Sequence, residues 1–300
     1  MTFSTRLEVV FRTALVPALF LMALSFSPIS VSSQITDSGA RMTLAKGTLE
    51  QKRDLLAAIR TAGDEQSAEL AILAFADKNA IVRASAIEAA RRARPSVLLP
   101  ALKPLLKDGS LTVRKEAAKA LGNSDDSDAQ PLLIERLTRE KDREVRAAII
   151  SALGRVGSID DFPRLLAYLR KKPSESNEFE RAMATRAMGQ IARRSHGLMV
   201  ADTIPSSFNR ISSIADINFD SSFEGMSDFA MLETQIITML ESSEESMAVR
   251  RECAFLLGEA GGFRSVSTLK SHVEDEDPYL ARIALEALVR LSERSNTKRR

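Results

Sequence analysis

A stretch that opens Val-Arg and closes on a small residue, a leucine and a glycine occurs as VRKEAAKALG from Val113 and again as VRAAIISALG from Val145. Related stretches begin at Gln51, Val82, Glu180, Val249 and Leu280, so the steps along the chain are 31, 31, 32, 35, 69 and 31 residues. A catalytic motif is used once, whereas a structural unit recurs at near-constant spacing. A unit this short cannot bury an apolar face alone and must stack on its neighbours. The recurrence therefore restricts the chain to an array.

Within each copy the apolar positions fall at helical intervals: Val113, Ala117, Ala120 and Leu121 share one face. Only 5% of the residues are aromatic and there is no Trp. Sheets favour aromatic and β-branched residues, while alanine and leucine favour helices, so the expectation is all-α. Gly122, Gly154, Gly189 and Gly258 are placed to end these helices, here called B. Each B helix has an upstream partner A, as in SVLLPALKPLLKD, DAQPLLIERLTRE and DDFPRLLAYLRKK. Pro131 and Pro163 fall near the starts of two A helices, where proline is tolerated, while Pro100 and Pro104 lie deeper and should bend theirs.

One polar regularity accompanies the apolar one. Five copies carry an acid six residues before the B-helix arginine: Asp77 and Arg83, Asp108 and Arg114, Glu140 and Arg146, Glu175 and Arg181, Glu244 and Arg250. The first copy lacks the acid, and the last has Ala281 in place of the arginine. An acid in the turn before a helix accepts free N–H groups and favours the positive helix end. The arginine fork then holds that carboxylate, or one in the next unit. Repetition at every unit suits a structural ladder better than a binding stripe.

The pattern D-x-x-x-x-V-R-x-x-A-A-x-A-L-G, as it stands in Asp108–Gly122, resembles the HEAT repeat, in a short form similar to the phycobilisome-lyase HEAT-like repeats. The resemblance implies an α-solenoid of about seven stacked HEAT-like helical hairpins, curved so that the B helices line the concave side. It does not by itself imply an activity.

The N-terminus reads as an address. Arg6 and Arg12 precede the thirteen-residue apolar run Ala14–Phe26, and small polar residues follow, with Val31 and Ser33 suited to a cleavage site. Residues 1–33 are expected to be a cleaved signal peptide, the alternative being a membrane anchor. The run contains Pro17 and is shorter than the ~20 residues a spanning helix needs. Residues 34–44 are expected as a linker and 45–296 as the solenoid. This layout implies an exported chain, periplasmic or secreted, that meets a membrane only if residues 1–33 stay attached.

The 69-residue step leaves an irregular insert at 195–227, which carries Phe208, Phe219 and Phe223. Insertions in solenoids emerge on one face and often bind, so these three and Phe255 are candidate partner-binding residues. The plainer readings are a degenerate repeat packing its phenylalanines and a mobile loop without a partner. Asp216, Asp220, Glu224 and Asp228 recur every four residues, which suits an acidic helix face better than a calcium loop.

His196 and His272 are too sparse for a zinc site without cysteines and are expected at the surface. Cys253 is expected to be a buried apolar residue. The concave face, taken as Glu88, Lys119, Ser151, Arg186, Phe255 and Glu286, mixes charges and shows no basic track, so nucleic acid is not an expected partner. No phosphate loop, dinucleotide fingerprint, nucleophile elbow or metalloprotease motif is present, and no metal, cofactor or catalytic residue is assigned. The expected function is an exported non-enzymatic scaffold that binds another protein. The alternatives are an accessory or lyase-like protein acting on a chromophore or modified protein, against which export argues, and a membrane-tethered assembly factor.

Overall fold

The computed structural model describes residues 37–195 and 230–297. Among these the chain is all-α and forms seven A–B hairpins. They are α1 Asp37–Lys46 with α2 Leu49–Ala62, α3 Glu65–Ala71 with α4 Ala80–Ala89, and α5 Pro95–Leu105 with α6 Leu111–Gly122. Next come α7 Ala129–Leu137 with α8 Arg143–Val156, and α9 Phe162–Leu169 with α10 Glu178–Ser195. The last two are α11 Ala230–Glu241 with α12 Met247–Ala260, and α13 Phe263–Ser271 with α14 Pro278–Thr297. Each B helix packs on the next, α2 on α4 and so on to α14, while the A helices form the second layer.

Single residues set these boundaries. Thr48 accepts the Gln51 N–H at 3.3 Å while the Gln51 side chain accepts the Thr48 N–H, a reciprocal cap on α2. Asn79 caps α4 through the Ile81 N–H at 2.8 Å, and Asp142 caps α8 through Glu144 and Val145. The first apolar residue of the repeat points into the core, so Val82, Val113, Val145, Val249 and Leu280 are all buried.

Two expectations are corrected. The stretch 34–44 is not simply a linker, because α1 starts at Asp37, packs on α2 and α3, and buries Ala40 and Leu44. Its polar sequence, DSGARMTLAK, hides it from a search for apolar periodicity. The second correction concerns the glycines. Gly154, Gly189 and Gly258 lie inside α8, α10 and α12, whereas Gly122, the last residue of α6, ends its helix as expected.

These glycines mark where neighbouring B helices touch. A Cβ on Gly122 would stand 2.7 Å from Cα and Cβ of Ala152, and one on Gly258 the same distance from those of Ala287. At Gly154 the obstacles are the Gln190 side chain and Ala187, and at Gly189 the Phe255 ring at 2.5 Å. The pairing of glycine with a small residue on the next helix brings the two backbones together, so the repeat needs small residues where an ordinary helix tolerates many.

The residues 196–229 that separate α10 from α11 interrupt the sequence without interrupting the stack, because α10 packs directly on α12.

Gly122→Ala gains up to about 1 kcal/mol of helix propensity but forces a methyl into backbone, a strain of about 1–3 kcal/mol. A lowered urea-unfolding midpoint is expected. Gly109→Ala, where a new Cβ would meet nothing within 4 Å, should stay within about 0.5 kcal/mol of the parent.

Candidate functional site

The arginines at the start of the B helices each join two units. Arg83 donates to Asp108 of the next unit through Nε at 2.8 Å and Nη2 at 2.7 Å, while Nη1 donates to the Asp77 carbonyl of its own turn at 2.7 Å. Arg114 repeats this on Glu140, at 2.9 and 3.3 Å, and on the Asp108 carbonyl at 2.9 Å. Each carboxylate also accepts N–H groups of its turn: Asp108 from Ser110 at 2.8 Å, Glu140 from Lys141 at 3.0 Å and Asp142 at 2.9 Å. Side chain and main chain of two neighbouring turns are thus fixed by one guanidinium.

The ladder is shifted from its sequence pairing. Arg146 meets Glu180 at 2.7 Å, not Glu175, and Arg181 meets Glu245, at 3.2 Å through Nε, not Glu244. In the fifth unit the turn before α10 is longer, and the acid stands inside the helix at the position other units give to valine. Glu180 is accordingly buried, while Glu175 and Glu244 are exposed. Arg250 meets Asp275 at 3.5 Å, and Lys52 does the arginine's work in the first unit, 2.6 Å from Asp77. The ladder therefore runs in one direction from Lys52 to Asp275, each cation reaching forward to the next unit's acid.

Burial pushes the carboxyls of Asp77 and Asp108 up, but Lys52 and Arg83, with the turn N–H groups, hold both below the usual carboxylate range. At Glu140 burial is likewise outweighed, here by Arg136, the Asp142 N–H and Arg114, and the carboxyl falls to about 2.

A second arginine position was not legible in the repeat. Arg194 donates to the carbonyls of Gly154 and Gly157, the latter at 2.6 Å, and so closes the C-terminus of α8. Arg294, at the equivalent place in α14, donates to the Glu259 and Gly261 carbonyls at 3.0 and 3.2 Å and closes α12. Both sit in the last turns of unusually long B helices, α10 and α14, and satisfy carbonyls that a helix end leaves bare. The length of those helices was the available signal.

The B-helix face holds a groove of about 710 Å³ between α6, α8 and α10. Lys119 and Ser151, both placed on this face from sequence, line it together with Arg143, Arg155, Phe179 and Met183. Phe179 is 59% exposed. It belongs to a series, because Leu49, Ile81, Leu111 and Tyr279 hold the first or second position of their own B helices and are also exposed, between 41% and 64%. An apolar side chain thus recurs along the entry of the B helices. The other face positions are tied in ion pairs: Glu88 with Arg60 at 3.0 Å, Arg186 with Glu252 at 3.1 Å and Glu286 with Arg282 at 3.0 Å.

Phe208, Phe219 and Phe223 lie outside the described residues, as do most of the insert 195–227, His196 and residues 1–33. Phe255 is half-buried against Gly189, with the Arg193 guanidinium 5.0 Å from its ring centre. It is not brought into the groove. His272 is buried and not at the surface, its Nδ1 2.8 Å from the Thr268 carbonyl, because it closes α13 from inside. Cys253 is fully buried, and burial pushes its thiol up, away from the reactive thiolate. Among the described residues no group of histidines, cysteines and carboxylates is arranged to hold a metal ion, and no helix is long and apolar enough to cross a membrane.

Residues 67–154 and 99–189 match the family model of HEAT repeats, so the chain carries HEAT-like repeats. In fold it is similar to the archaeal HEAT-like repeats protein from Thermococcus onnurineus NA1, with a TM-score of 0.52 and 13% identity over 86% of this chain and 97% of that one. It is also similar to the complex of CpcE and CpcF of phycocyanin lyase from Nostoc sp. PCC7120, with a TM-score of 0.47 and 18% identity over 88% and 95% of the respective chains. No curated protein matches the sequence.

Two outcomes follow from the ladder. Glu140 titrates well below the ordinary 4.5 in the folded chain, so its contribution is present above about pH 4.5 and lost as the pH falls towards 2. Glu140→Gln should therefore lower stability at pH 7 by on the order of 2–3 kcal/mol, and denaturation at pH 3 should show a smaller difference from the parent. Arg181 and Glu245 form a buried pair, with side chains 2% and 4% exposed. Arg181→Met strands the carboxylate and should cost about 3–5 kcal/mol in urea unfolding, most of which Arg181→Met with Glu245→Leu should recover.

Proposed function

We propose that this chain is an exported, non-catalytic scaffold that binds another protein along its B-helix face. The observation that carries the reading is the groove between α6, α8 and α10, lined by the exposed Phe179, with exposed apolar residues at the entry of four other B helices. Exposed apolar side chains at the entry of five B helices suit a partner with apolar residues of its own, and forward-reaching arginines hold the stack that presents them in register. Export is supported by Arg6 and Arg12 ahead of the apolar run Ala14–Phe26 and the small residues that follow. The insert 195–227 offers a second, separable contact, since α10 and α12 stack without it.

The test is affinity capture from the extracytoplasmic fraction with three forms of the chain: the parent, Phe179→Ser, and one in which 195–227 is replaced by a short linker. Loss of a captured protein with Phe179→Ser, in a variant that melts like the parent, supports the B-helix face. Loss only with the replaced insert moves the binding surface there. Mass spectrometry of the mature chain should show an N-terminus after Ser33, and an intact N-terminus would defeat the cleaved-signal reading.

A further inference from the structure

Resting on the scaffold reading, we infer that the groove between α6, α8 and α10 takes an acidic segment of a partner protein carrying bulky apolar side chains. Not all the cations of this groove are neutralised. Lys115 is tied to Glu144 at 2.8 Å and Lys119 to Glu116 at 2.7 Å, so these cations are already matched. Arg143 is exposed and has no ion-pair partner among the described residues, and Arg155 donates only to the neutral Asn123 side chain. A second hollow of about 450 Å³ shares Asn123 with the groove and adds Arg91 and Arg92, exposed and likewise without ion pairs. Against these four cations the two hollows offer a single exposed acid without a partner, Glu175.

Arg143 is the most telling of the four. It is the first residue of α8, where the positive end of the helix dipole disfavours a cation. Arg155, in the last turn of the same helix, has the dipole on its side and would stand there without any ligand. A cation kept unpaired at the wrong helix end, beside an exposed Phe179, is a ready contact for a carboxylate flanked by an apolar residue. Nucleic acid fits less well. Glu144, Glu175 and Glu180 line the same groove and would face phosphates, whereas a peptide can place its acids at Arg143 and Arg155 and an apolar side chain between Phe179 and Met183.

The experiment is fluorescence anisotropy with the full chain at near-physiological salt. The probe is a blocked peptide of about twelve residues, rich in Glu with Leu at intervals. The controls are a copy with Lys for Glu, a copy with Ser for Leu, and a single-stranded DNA of similar length. The acidic Leu peptide should bind, and each peptide control should bind about tenfold more weakly or not at all. Arg143→Glu with Arg155→Gln should weaken the acidic peptide about tenfold, and Phe179→Ser about threefold or more, with melting curves unchanged.

Equal binding of the Lys or Ser copy, tighter binding of the DNA, or no effect of the variants would overturn the inference. So would absence of peptide binding. In that event the capture experiment separates the two readings. A partner still lost with Phe179→Ser leaves binding along the B-helix face standing, and a partner indifferent to it removes that face from both readings.

Discussion

The guanidinium that bridges two turns is the interaction on which this array depends for its register. Apolar burial brings the hairpins together, but alanine-rich faces are smooth and permit sliding. Arg114 fixes the relation by taking the Asp108 carbonyl of its own turn and the Glu140 carboxylate of the next. A one-residue slip would leave a mostly buried carboxylate without its cation, which is far costlier than the pair is favourable. The ladder thus gives specificity more than net stability. Arg181 and Glu245 carry the same relation across the 34 residues between α10 and α11, where register would otherwise be easiest to lose.

Close helix contact complements the ladder on the B-helix side. Gly122 against Ala152 and Gly258 against Ala287 bring backbones together, so that the B helices pack more tightly than side chains of ordinary size would permit. Where this small-on-small pairing is replaced, as with Phe255 over Gly189, the ring fills the space and gains the Arg193 guanidinium above it. The groove opens in a different place, where Ser151 and Ala148 of α8 leave room between Lys119 and Phe179.

How much of this was legible follows from what periodicity can encode. The period near 31 residues, the helical spacing of Val113, Ala117 and Leu121, and the arginine of each B helix are local patterns, and they led to the stacked-hairpin architecture. The partner of each arginine is not local. Arg83 reaches 25 residues forward and Arg181 reaches 64, distances that spacing within one copy cannot reveal. Glu180 and Glu245 escaped because the acid had moved along the chain while the geometry of the rung was kept. The glycines were read by the commonest use of glycine at a helix end, although their function depends on what the next helix places opposite. Helix α1 escaped because its burial rests on only Ala40 and Leu44 in a polar sequence. On the candidate surface, Lys119 and Ser151 followed from helical phase, but Phe179 did not, since it stands one residue before the repeat begins.

The one-way ladder also bears on how the array ends. Every inner unit both receives a cation and offers one. The first described unit offers Lys52 but has no acid in its turn Lys46–Thr48, and the last receives through Asp275 but carries Ala281 where an arginine would extend. A head-to-tail contact between two copies of the described array would have to join Ala281 to a turn without a carboxylate, so the interaction that propagates the stack is missing from both ends of the described array. A fold whose internal interfaces are all heterologous is open to filament growth in principle, and at each end of the described array the rung that would extend such growth lacks one of its two side chains.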